Sequence, residues 1–71
     1  MDAGGGGVRI QDAISTAERT IPGASKDLIM EESLIVLGVD YTDAEYYALQ
    51  ITQGSLEKRI DIAMKIERRK S

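Results

Sequence analysis

Carboxylates are the groups best placed to do chemistry in this 71-residue chain, which contains no histidine and no cysteine. That composition leaves out the usual nucleophile–base pairs and any histidine or thiolate metal site. Asp40, Asp43 and Glu45 gather near a helix start and could face a hard cation, but their spacing is not that of a calcium loop. Helix capping and the helix dipole explain the two later acids without a metal. Glu31 and Glu32 are adjacent, and adjacent helical residues point in different directions, so they do not make a catalytic pair. A chain this short also has little room for the enclosed pocket in which carboxylate pKa values are separated. The sequence therefore reads as a non-enzyme with no cofactor, no metal and no small-molecule substrate.

Two other groups of residues bear on partners. Lys58, Arg59, Lys65, Arg68, Arg69 and Lys70 form a basic segment over residues 55–70 that could contact nucleic acid. Glu57, Asp61 and Glu67 interrupt it, and Asp61 to Lys65 is an ordinary supporting i,i+4 pair. The three tyrosines, Tyr41, Tyr46 and Tyr47, are the only aromatic residues, and they lie beside acids rather than interleaved with bases. They suit a protein interface or a core better than a single-stranded nucleic acid.

Charge is divided along the chain. Residues 1–45 hold nine acids and three bases, a net −6, whereas residues 46–71 hold three acids and six bases, a net +3. Such a division marks either an interaction surface or helices whose acids come first and bases last, matching the dipole. The opening MDAGGGG has neither the basic nor the apolar region of a signal peptide, and the longest apolar stretch, near Leu34 to Val39, is too short to span a bilayer. These features predict a cytoplasmic protein that does not engage a membrane. The four glycines are not followed by the Lys-Ser or Lys-Thr of a phosphate loop, so residues 1–7 read as a flexible tail.

The elements that must position these residues read as helices, in one domain over residues 8–71. Ile10, Ile14, Ala17 and Ile21 share one face of a helix over about 8–20, which Pro22-Gly23 ends in a tight turn. Ser25 is placed to cap a helix over about 25–37, with Gly38 just past its end. Leu34 to Val39 is also compatible with a short strand at 34–39, an α+β alternative, but a lone strand leaves its backbone groups unpaired. Thr42 and Glu45 have the spacing of a capping box at the start of a third helix.

Gly54 decides how that last helix ends. Tyr46, Leu49, Gln53, Leu56, Ile60 and Ala63 step by three and four across it, a heptad seam. The spacing predicts a small all-α protein of three helices, the last a continuous or gently kinked helix over 43–69, with a break at Gly54 as the competing reading. A helix of that length cannot be covered by the two earlier ones, so the seam predicts a homo-oligomer. Small size points the same way, because a core this small with neither disulfide nor metal is marginal alone. The expected function is a non-enzymatic interaction or assembly module that self-associates through its C-terminal helix and serves a larger protein partner. The alternative is a small dimeric DNA-binding regulator using 55–70.

Overall fold

A computed structural model describes the backbone of residues 5–70 and the side chains of residues 9–70. Four helices make up this region: α1 (Gly5–Thr20), α2 (Lys26–Val36), α3 (Tyr41–Gln50) and α4 (Leu56–Lys70). There is no strand among the described residues, so the segment 34–39 is the end of α2 and its turn, and the α+β alternative is set aside. Helix α2 is the centre of the packing, in contact with α1, α3 and α4, while α4 also lies against α1. Met30, Leu34, Ala44, Tyr47, Ile60 and Ala63 form the middle of a single core drawn from three helices, with Ile10 added from α1.

Each helix boundary has a local cause. The chain leaves α1 through a turn in which the Ala24 N–H donates to the Ile21 carbonyl at 3.2 Å. Ser25 then caps α2 as expected, its Oγ accepting from the Leu28 N–H at 3.3 Å. At the other end the Gly38 N–H donates to Ile35 and the Val39 N–H to Leu34, both near 3 Å, the paired bonds of a Schellman ending. That ending needs a left-handed residue, and Gly38 supplies it at φ 98.

Three expectations are corrected. Gly5 to Gly7 are helical rather than part of a tail, and the rest of that predicted tail, residues 1–4, lies outside the described residues. The capping box is not what starts the third helix. It begins at Tyr41, with Asp40 as N-cap and no side-chain capping bond, so Thr42 already lies inside its first turn. The Schellman ending buries Val39, and only Asp40 separates it from the first residue of α3, which turns Ala44 and Tyr47 into the core.

The third correction is the continuous helix over 43–69, which is two helices. Residues 51–55 connect α3 to α4, and Gly54 sits at φ 96, which an uninterrupted helix does not allow. Ser55 caps the new helix, accepting from the Lys58 N–H at 3.2 Å through Oγ while its carbonyl takes the Arg59 N–H at 2.9 Å. Breaking the helix lets Ile60 and Ala63 bury completely within their own chain. Burying an isoleucine side chain contributes about 1.5–3 kcal/mol, against the few tenths of a kcal/mol per charge by which dipole matching favours the unbroken form.

Candidate functional site

The corner between α3 and α4 is held by one side chain. Arg59, only 2% exposed, donates from Nε to the Ile51 carbonyl at 2.6 Å and from a guanidinium nitrogen to the Ala48 carbonyl at 3.3 Å. The last carbonyls of a helix have no partner within it, so Arg59 completes the end of α3 from the first turns of α4. The same guanidinium reaches Asp27 in the first turn of α2 at 2.9 Å. Among the described residues every buried side-chain nitrogen or oxygen has a hydrogen-bond partner, Arg59 included. Its role is structural closure, and it does not join the nucleic-acid surface expected of it.

At the opposite end of α4 a second link ties it antiparallel to α3. The Tyr47 hydroxyl donates to Glu67 at 2.7 Å, and Lys70 pairs with Asp43 at 3.1 Å and more loosely with Glu67 at 3.8 Å. Lys70 also lies over the Tyr47 ring, 5.9 Å from its centroid. Burial, followed by the bond to Glu67, pushes the Tyr47 phenol above its ordinary 10.0. The hydrogen bond to Asp43 holds the Lys70 ammonium above 10.5. Asp43, one of the three acids considered for a cation, is thus paired with Lys70. Among the described residues no three acids stand close enough to share a metal ion.

With both ends of α4 fixed, the predicted seam is divided. Ile60 and Ala63 are core, Leu56 is half-buried, and Gln53 is exposed in the connection. Tyr46 and Leu49 face outward from α3, 59% and 66% exposed, joined by Tyr41 at 63%. Tyr46 meets Tyr47 edge to face with ring centroids 6.1 Å apart, so the outer ring rests against the buried one. The outer side of α3 therefore carries Tyr41, Glu45 and Leu49 at successive spacings of four, with Tyr46 three residues before Leu49 on its flank.

The basic residues are also divided. Arg59 is buried and Lys70 is engaged by Asp43, while Lys65 pairs with Asp61 one turn away at 3.2 Å. Lys58, Lys65, Arg68 and Arg69 remain exposed. Lys58, Ile62, Lys65 and Arg69 step by four, three and four, a basic stripe with Ile62 inside it and the 39%-exposed Ile66 beside it. Arg68 instead lines, with Arg9 and Asp61, a recess of about 60 Å³ that is large enough for little more than water.

The chain matches no protein family, no curated protein and no solved structure.

No helix among the described residues is long and apolar enough to cross a membrane. What the sequence reading missed is the work of Arg59. Counted from a cap at Ser55, the residues Leu56, Arg59, Ile60 and Ala63 fall on one helical face, so a base was already written into the inward side of α4.

Proposed function

We propose that this chain is a non-enzymatic assembly module that joins copies of itself and offers the resulting surface to a larger protein partner. The observation that carries the reading is the outer face of α3, where Tyr46 and Leu49 stay more than half exposed although the core closes without them. Aromatic and aliphatic side chains held on a rigid helix are typical anchors of protein interfaces, because they exclude water at small cost in side-chain freedom. The small core adds a reason to associate, since a domain of this size buries only about 60% of the surface of its unfolded chain. Association is moved from the continuous seam of the sequence reading to the surface that folding leaves outside. The solution mass, measured by light scattering over about a hundredfold range of concentration, tests it, because mass action makes an oligomer appear as concentration rises. A single monomeric mass throughout would sink the proposal.

A second reading is favoured by the break at Gly54, which sets α3 and α4 as a helix, a turn and a helix with Lys58, Lys65 and Arg69 outward on the second. In that reading α4 contacts the phosphates of DNA. The net charge of −3 and the loss of Arg59 and Lys70 from the basic set count against it. The pair α2–α3 has a similar connection, but α3 has no base at all and would repel phosphate. A mobility shift at low salt tests this reading, with affinity falling at a slope of roughly 0.9 per phosphate contacted on a logarithmic salt scale. No shift at high protein concentration removes it.

A further inference from the structure

We infer that copies of the chain pair through two equal contacts, the outer face of α3 in one copy lying on the basic stripe of α4 in the other. This rests on the self-association proposed above and specifies which surfaces meet. The two faces are complementary in charge and alike in apolar character. Around Tyr41, Tyr46 and Leu49, α3 presents Glu45 and no base. Around Ile62 and Ile66, α4 presents Lys58 and Arg69, with Lys65 between them sharing its charge with Asp61. A face of α3 set against its own copy would bring Glu45 toward Glu45, and α4 against α4 would bring lysines toward arginines. Like charges brought together oppose association, so each face selects the other.

Size points to the same pairing. A stable interface takes roughly 800 Å² from each partner, a large share of the 4512 Å² that this molecule exposes. Helix α3 has ten residues, so its outer strip is only about 15 Å long. One such strip is too little alone. A two-fold arrangement uses α3 and α4 of both copies, doubles the contact and closes on itself, whereas a one-way contact would leave an α3 and an α4 face open and grow into a chain of molecules. The side-chain links of Arg59 to the end of α3 and of Lys70 to its first turn hold the two helices, and so the two faces, in a constant relation.

The test is a charge exchange followed by sedimentation or light scattering. Glu45→Lys reverses the α3 face, and Lys58→Glu with Arg69→Glu reverses the α4 stripe; all three positions are exposed, so unchanged circular dichroism is expected. Each variant alone should dimerise roughly tenfold more weakly than the parent chain, since every reversal is met twice in a two-fold contact. An equimolar mixture of the two variants should recover association, because the reversed faces then match. Added salt should weaken the parent dimer. A parent dimer that ignores both variants but is lost in Leu49→Asp would overturn the role of α4 while leaving self-association intact. A parent chain that stays monomeric would instead overturn self-association itself, and binding of that monomer to DNA would reassign the basic stripe.

Discussion

The Nε of Arg59 donates to the Ile51 carbonyl at 2.6 Å, so the cation that opens α4 also finishes α3. Replacing it with alanine strands two carbonyls and the inner end of a corner that water enters poorly. Arg59→Ala is expected to lower folding stability by roughly 2–4 kcal/mol. Asp27→Ala should cost about 1 kcal/mol or less, because the Asp27 side chain is 62% exposed and its pairing is screened. Urea midpoints for the two variants check this, and an Arg59→Ala midpoint no lower than that of Asp27→Ala would refute the closure role.

Gly54→Ala separates a broken helix from a continuous one by sign. At φ 96 a side chain is strained even though Lys58, at 3.5 Å, leaves room for it. A loss of roughly 1–2 kcal/mol is expected. In a continuous helix the same substitution would gain about 1 kcal/mol. Equilibrium unfolding reads the sign directly.

The divided seam predicts divided effects. Ile60→Ala removes a fully buried side chain and should cost about 2–4 kcal/mol of folding stability. Leu49→Ala touches a side chain that is 66% exposed and should leave stability within roughly 0.5 kcal/mol, while weakening association. Thermal melts paired with solution mass distinguish the two; equal melting losses would contradict the placement of Leu49.

Alkali should loosen the α3–α4 link. The Tyr47 phenol and the Lys70 ammonium both hold their protons more tightly when folded than their ordinary values of 10.0 and 10.5. The stability they contribute is therefore present in full below those values and is lost as pH rises through the raised folded ones. Melting temperature should fall above about pH 10, and less steeply in Tyr47→Phe, which has no phenol to ionise. The absorbance difference between the parent chain and Tyr47→Phe isolates the phenolate and should titrate above 10.0.

Much of the fold can be read from local chemistry. Ser25, Gly38 and the Pro22-Gly23 turn each place a boundary through a bond that the backbone must make nearby, and all three lie where they were expected. The all-helical class follows from the same spacing. Thr42 and Glu45 carry an equally clear signal that folding does not use, because α3 starts at Tyr41 and leaves Thr42 inside its first turn. The heptad stepping across Gly54 was real as a pattern, yet a repeat of three and four does not say whether its residues face another molecule or their own chain. Only the partners of Arg59, eight to 32 positions distant, decide that. The outward face of α3 is only half legible: the stepping puts Tyr46 and Leu49 on one seam, whereas the tyrosines, Tyr41 included, read equally as interface or core residues.

The central position of α2 has a consequence for how the chain reaches this structure. Its partners α1 and α3 are its neighbours in sequence, joined by short connections, so the loops that must close first are small. Such local topology places folding on the fast, microsecond-to-millisecond side. On that ground α1 and α3 are expected to gather on α2 before α4 docks, with the link from Arg59 to Asp27, 32 positions apart, closing late. Substitutions such as Leu34→Ala should then slow folding, whereas Ile60→Ala should chiefly hasten unfolding. The helix that bears the basic stripe is thus also the one expected to dock last, and a partner that grips it would meet it before the domain has finished closing.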